Sequence, residues 1–339
     1  MNIKDLRTKI DKIDAALLNL LNERMDIVHE IGIIKSESNE SIYKPERERE
    51  IIERLTNLSN GKLNKESIKA IFQEVFAAAR NIEAPERISY LGPEGSFTHQ
   101  AAESNFGSQA KYLSLNSIKS VFESVESKKV KYGIIPLENN QEGIVQETID
   151  LLGYSNVKII SELTQSISFS FATRVKEINK VKKIYSKDIA FKQCRAFIEN
   201  YFPQDIKCIP VNSTSGAVDY AASQNDSAAI CSRFAAVQRG VPILYDKIED
   251  SKDNHTRFVV LSLDQNQEKS NCDKTSILVN LSDGHGVLAE FLQEFHDAKI
   301  NLTKLESRPA RKGTDFKYII ERIFSSLCKK HQVNSRTLL

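Results

Sequence analysis

Apolar residues recur at three- and four-residue intervals along the first part of the chain. Ile3, Leu6, Ile10, Ile13, Leu17, Leu20, Leu21, Val28 and Ile31 trace one stripe, which predicts a single long amphipathic helix, interrupted at most by Gly32. Pro45 followed by Glu46 and Glu48 marks a second helix start. The proline ring suits a first-turn position, and acids there face the positive end of the dipole. Ile51, Ile52 and Leu55 give that helix its apolar face, and Asn60-Gly61 ends it. A third helix is expected from Lys65 to Ile82, with Ile68, Ile71, Phe72, Val75 and Phe76 inward. The first helix is too long to bury its stripe against two short neighbours. A second chain is expected to cover it.

From Ile88 onward the pattern changes to short β-branched runs alternating with helical stretches. ISYLGPEGSFTHQAA (88–102) reads as strand, tight turn and helix, with Ser96 as N-cap. Such a turn offers backbone N–H groups to an anion, although it is also an ordinary strand-to-helix connection. Further strands are expected at Lys131–Asn139, stopped by Pro136, from Ile159-Ile160, over Ser166–Ala172, Val181–Tyr185, Asp205–Val211 and Ala228–Cys231. A helix is expected at Phe191–Tyr201 and another after the cap-rich run Asn212-Ser213-Thr214-Ser215-Gly216-Ala217. This alternation predicts parallel sheets with ligand groups at the strand carboxyl ends, in two lobes around a cleft. Asp253 to Phe258 reads as a polar loop before the strand Val259–Leu263, and His255 as a surface histidine. At the end come a strand Lys274–Leu281, a helix Val287–Ala298 and a strand Ile300–Leu305. The run Glu306-Ser307-Arg308-Pro309 follows, and Phe316–Ile320 starts a third strand.

Composition narrows the function classes. A length of 339 residues fits two or three domains. A formal net charge of +2 gives no basic bias toward nucleic acid. The five cysteines form no CxxC pair and the six histidines no ligand spacing, so neither metal nor other cofactor is expected. The opening MNIKDLRTKIDKID has no apolar core of a signal peptide and no stretch reaches membrane-spanning length. A cytoplasmic protein is the expectation.

Four cations in the helical part could hold an anion. Eleven residues separate Arg24 from Lys35, close to three turns, which puts them on one face roughly 16 Å apart. Arg7 is about 25 Å from Arg24 on the same helix, so it can serve that site only from an antiparallel partner. Arg47 opens the second helix. By spacing alone these are equally well solvated surface cations.

The wider pattern says more. LRTKIDKIDAALLNLLNERMDIVHEIGIIK followed by IYKPEREREII resembles the all-helical chorismate mutases. The resemblance implies an intertwined dimer that rearranges chorismate to prephenate. Arg7 from the partner chain, Arg24 and Arg47 would hold the two carboxylates. Lys35 would donate to the ether oxygen and Glu48 accept from the ring hydroxyl. Glu83, where many members have glutamine, would assist the ether oxygen only while protonated. Lys44 stands where many members carry aspartate. The chemistry suits these types: the reaction is unimolecular, and catalysis means fixing one conformer and placing cations where negative charge grows.

YLGPEGSFTHQAA, YGIIPLENNQEG, NSTSGA and NHTRFVVL, in that order, resemble prephenate dehydratase. That implies a two-lobed fold of periplasmic-binding-protein type and conversion of prephenate to phenylpyruvate. Thr256 would assist departure of the ring hydroxyl. Asn139, Ser213 and Thr214 would line the cleft with Arg257 and Phe258, and Ser96 and Glu138 would be further contacts. Asn140 stands where many members have a small hydroxyl residue.

The final segment resembles an ACT regulatory domain, a family that binds phenylalanine at Gly286, Val287 and Leu288 and at Glu306, Ser307 and Arg308. The resemblance stops near Ile320. The expected architecture is multidomain: an all-α mutase domain over 1–86, an α/β two-lobed dehydratase domain over 87–265, and an α+β ACT-like domain over 272–339. Chorismate and prephenate would be substrates and phenylalanine an effector of a homodimer. The rival readings are a dehydratase whose helices only dimerise, and a solute sensor with a helical arm.

Overall fold

The amino-terminal stripe folds as predicted into one uninterrupted helix of 36 residues, α1 (Ile3–Ser38). It is followed by α2 (Pro45–Leu58) and α3 (Lys65–Glu83). Gly32 does not break α1. It lets α3 approach, since a Cβ there would lie 3.3 Å from Glu83. Ile52, Ile68 and Phe76 form a small core with Ile51, Leu55 and Phe72. Most of the α1 stripe is left outside it: Ile10, Ile13, Leu17 and Leu20 are each more than half exposed. The computed structural model describes residues 2–38, 43–83, 87–264, 272–282, 284–309 and 316–325. It divides into two units, Met1–Gln265 and Asn266–Leu339.

After the helices the first unit continues with β1 (Arg87–Leu91), α4 (Phe97–Phe106), β2 (Lys111–Leu115), α5 (Ile118–Glu126), β3 (Tyr132–Asn139), β4 (Gly143–Ile144), α6 (Gln146–Leu152) and β5 (Lys158–Ser166). The chain then builds β6 (Ser170–Thr173), β7 (Lys183–Ser186), α7 (Asp188–Gln193), α8 (Arg195–Tyr201), β8 (Lys207–Pro210), α9 (Ala217–Ser223), β9 (Ser227–Cys231), α10 (Arg233–Gln238) and β10 (Ile243–Asp246). It returns as β11 (His255–Ser262). One sheet has the order β2-β1-β3-β11-β5, with β4 on β3, and the other β10-β6-β9-β7-β8. The chain thus passes from one sheet to the other and back, which makes the two expected lobes.

The sheets are mixed rather than parallel. β11 runs antiparallel to both β3 and β5, and β6 antiparallel to β9 and β10. Local alternation cannot reveal a strand that returns from the other lobe. Three smaller expectations also change. Ser166–Ala172 is the crossing between lobes, so β5 ends and β6 begins inside it. Pro136 does not stop β3: the register shifts beside it, Phe258 pairing with Pro136 and Arg257 with Glu138, and a bulge accommodates the missing N–H. The helix expected at Phe191–Tyr201 is divided at Cys194 into α7 and α8.

Helices and sheet meet tightly within the first unit. Tyr43 is buried among the first lobe's apolar residues, with ring centroids 4.9 Å from Phe106 and 5.6 Å from Tyr132. Gly107, at φ +83°, ends α4 where a Cβ would overlap that of Ala77. No larger residue fits that approach.

The second unit contains β12 (Cys272–Leu281), α11 (Val287–Asp297), β13 (Lys304–Pro309) and β14 (Phe316–Ser325), in the antiparallel order β12-β14-β13. The middle strand of the sequence starts at Lys304 rather than Ile300, and Glu306-Ser307-Arg308 lies within it. β14 runs on past Ile320.

Candidate active sites

Between α1, α2 and α3 the structure gathers Arg24, Lys35, Glu48 and Glu83. Lys35 donates to Glu83 at 2.9 Å across α1 and α3. Arg24 lies over the Phe76 ring at 5.8 Å and has a buried Nη1 with no hydrogen-bond partner. Burial pulls its pKa down, while the charges of Glu48 and Glu83 pull it up. A buried guanidinium nitrogen left unsatisfied is a site waiting for an acceptor. Burial pushes the Glu48 carboxyl above its ordinary value, and Arg80 and Arg24 oppose that shift.

Arg47 does not join this group. It is 60% exposed and pairs with Glu50 at 3.1 Å. Arg7 is exposed on α1, more than four turns from Arg24. Arg80, unremarked in the sequence, bonds Glu48 from α3. Its position in a last turn looks like an ordinary dipole-complementing cation, so nothing in the spacing marks it.

In the α/β body a polar chain runs through Asn139. Its Nδ2 donates to Thr256 Oγ1 and to Asn254 Oδ1, both at 2.8 Å. Its Oδ1 accepts the backbone N–H groups of Gln141 at 2.9 Å and Glu142 at 3.0 Å. Since Asn139 donates to Thr256, the threonine's own proton is free to point elsewhere. Asn254, 2% exposed, donates on to Gln193 Oε1 at 3.0 Å, which reaches across from α7 of the other lobe. Asp253 to Phe258 is therefore mostly strand: β11 begins at His255, and Thr256 faces Asn139 in register.

Successive strand residues point to opposite faces. Arg257 thus lies on the face away from Thr256, paired with Glu138 at 3.2 Å and Glu162 at 3.5 Å. Phe258 is a core residue packed with Tyr90 and Ile134. Ser96 is the N-cap of α4, accepting from His99 N–H at 3.2 Å and donating to the Leu91 carbonyl at 3.2 Å. The turn before it is likewise engaged: Gly95 N–H donates to His99 Nδ1 at 3.1 Å. Ser232 and Arg239 of the other lobe hold its Gly95 and Glu94 carbonyls. Ser213 accepts from Gly216 N–H at 2.9 Å, with half-buried Thr214 beside it in the second lobe. His255 is partly exposed as expected, bonded to Ser166 at 3.1 Å. Asn254, Gln193 and Glu162 were missed. Asn254 had been visible as part of the NHTRF run; the other two carry no local signal.

In the second unit Gly286, at φ +83°, precedes α11, whose first residues are Val287 and Leu288. Leu281 and Pro309 both pair with Phe316. The turn after β12 and the Glu306-Ser307-Arg308 run therefore come to the same end of the sheet. Of Arg308 only the backbone lies within the described residues.

Comparison with known proteins agrees with this division. The family model described as chorismate mutase type II matches residues 6–84, and that described as prephenate dehydratase matches residues 88–266. A bifunctional chorismate mutase/prephenate dehydratase of Aquifex aeolicus is 39% identical over 94% of this chain and 89% of its own length. One from Pseudomonas aeruginosa is 32% identical over 92% of this chain and 86% of its own. Among solved structures, the prephenate dehydratase of Arthrobacter aurescens in complex with L-Phe is 29% identical with a TM-score of 0.64, covering 70% of this chain and 80% of that one.

Proposed function

The chain belongs to the bifunctional chorismate mutase/prephenate dehydratase family, and from that premise we propose how its residues divide the two reactions of phenylalanine biosynthesis. The enzyme rearranges chorismate to prephenate and then dehydrates and decarboxylates prephenate to phenylpyruvate. Residues 1–86 carry the first step, 87–265 the second, and 272–339 form an ACT-like regulatory part.

The observation that carries the mutase reading is the unpartnered Nη1 of Arg24 among Lys35, Glu48 and Glu83. Arg24 takes a substrate carboxylate, for which a planar guanidinium is suited. Lys35, released from Glu83, donates to the ether oxygen as its bond breaks, and Glu48 accepts from the ring hydroxyl. Arg47, here paired with Glu50, would have to leave that partner to join them, and Arg7 arrives from a second copy. The bare apolar stripe of α1 supports a homodimer, because burying it requires another helix of equal length.

For the dehydratase, Thr256 donates its hydrogen bond to the ring hydroxyl as that bond breaks and passes on a proton that it regains from solvent. The electron pair of the bond to carbon dioxide moves into the ring, which becomes aromatic, and the hydroxyl leaves as water. Asn139 and Asn254 aim the threonine. Arg257, held between Glu138 and Glu162, braces the strand that carries it. Ser213 and Thr214 face the substrate from the other lobe. Phenylalanine binds near Gly286 and the Glu306-Ser307-Arg308 run, a reading supported by their common sheet end and by the L-Phe complex of the Arthrobacter protein. No described helix is long and apolar enough to cross a membrane, and we place the enzyme in the cytoplasm.

The test is Arg24→Met in the full chain. Chorismate consumption is expected to fall about 100-fold, the scale of one lost charge-stabilising donor, while phenylpyruvate formation from added prephenate continues. Unchanged chorismate turnover would remove Arg24 from the pocket.

A further inference from the structure

The side chain of Arg80 is 7% exposed and satisfies two separate acceptors. Its Nη1 bonds Glu48, and its Nη2 donates to the Asn105 carbonyl at 3.1 Å. Its guanidinium also lies 5.5 Å from the Tyr43 ring and 5.4 Å from that of Phe106. Asn105 is in the last turn of α4, where carbonyls lack helical partners and carry the negative end of the dipole. Its side chain in turn donates to the Tyr43 hydroxyl at 2.8 Å. This end of α4 is also pinned to the turns of α3 that precede Arg80. Gln73 donates to the Ser104 carbonyl, and Glu74 accepts from the Ser108 hydroxyl at 3.2 Å. Ala77 meets Gly107.

From this geometry we infer that Arg80 is a positioning residue of the mutase pocket: it holds Glu48 in place and takes its own position from the end of α4 in the dehydratase body. The inference rests on Glu48 being the acceptor of the ring hydroxyl. Arginine is required because a planar fork serves two acceptors at once and presents a flat face to the aromatic rings. A lysine has donors enough, but its single nitrogen lacks the spread fork and the flat face. The mutase pocket therefore depends on a helix whose other contacts belong to the dehydratase fold.

The groups around Glu48 set the sign of the pH effect. Arg80 from α3 and Arg24 from α1 favour its carboxylate; burial and Glu46 on its own helix oppose it. Tyr43 also faces it, and burial with the charge of Glu48 pushes its hydroxyl up to about 12, so it stays neutral. Removing Arg80 takes away the largest favourable charge, so Glu48 should protonate at higher pH.

The experiment compares the intact enzyme with Arg80→Lys, Arg80→Met and Glu48→Gln, following chorismate loss from acid to neutral pH and phenylpyruvate formation from prephenate. Both Arg80 variants are expected to lose tenfold or more in mutase kcat/KM, about 1.4 kcal/mol at tenfold, with the loss mainly in kcat. Their acid limb should move to higher pH in Arg80→Met and less in Arg80→Lys, with prephenate turnover retained. A merely structural role would lower both activities together and leave the limb where it was; that result overturns the inference. If Arg80→Met does not fold, Arg80→Lys decides on the same two readouts. Should Glu48→Gln abolish mutase activity while folded Arg80 variants keep it and their acid limb, the tether alone is wrong. If Glu48→Gln is fully active, the reading of Glu48 itself falls, and the inference with it.

Discussion

The role proposed for Thr256 depends on its proton being unclaimed. Asn139 has its oxygen occupied by two backbone N–H groups and must donate to Thr256. The hydroxyl is thus turned outward as a donor before any substrate arrives. Thr256→Val keeps the shape and removes the proton. Dehydratase turnover should fall about 100-fold or more, the usual contribution of a positioned proton donor, with chorismate turnover unchanged. Equal loss of both rates in a kinetic assay would point to misfolding instead. In the proposed mutase step Glu48 must be charged to accept the ring hydroxyl, and burial raises its pKa. Activity should therefore be lost, as pH falls, at a pH above the ordinary glutamate value of 4.5. A pH–rate profile of chorismate loss checks this, and an acid limb at or below that value would overturn the role given to Glu48.

At the scale of elements, much was legible in the sequence. The 3.6-residue period gave α1, α2 and α3 because each buries or presents one continuous stripe, and proline at N1 marked the start of α2 correctly. Strand positions were mostly recovered, but their directions were not: β11 pairs with strands far away in sequence, and pairing direction leaves no trace in local alternation. The site residues divided the same way. Asn139 and Thr256 sat in recognisable runs and do meet. Ser96 and Phe258 sat in equally recognisable runs, yet the first caps a helix and the second fills the core. A motif records what is kept together in sequence, whatever the reason. Arg80, Gln193 and Glu162 act across long separations and gave no signal. The stripe of α1 belongs to this scale too. Leu17→Glu places a charge on its exposed face, where a partner helix would have to bury it. Sedimentation should report loss of the dimer, and chorismate turnover should fall with it, since Arg7 of a neighbour is lost. A variant that stays dimeric and fully active would put the interface elsewhere.

The whole molecule joins two chemistries in one unit and adds a second unit at its end. Helices and α/β body share an interface of buried aromatic rings and a fitted glycine, so they are not beads on a string. For the second unit the decisive measurement is a titration of both activities with L-phenylalanine. Inhibition of phenylpyruvate formation is the expected outcome, since Gly286 holds the left-handed turn that an α-amino acid would approach and β13 brings its polar run to the same edge. A flat response would leave that unit without an effector role.

β11 lies between β3 and β5 and is the last strand of its sheet to leave the ribosome. The second lobe's strands are all made before it. During translation the nascent chain should therefore complete the later lobe first, while the earlier one waits, split open, for residues 255–262. Stalled chains ending before His255 should yield a protease-resistant fragment from the second lobe and none from the first.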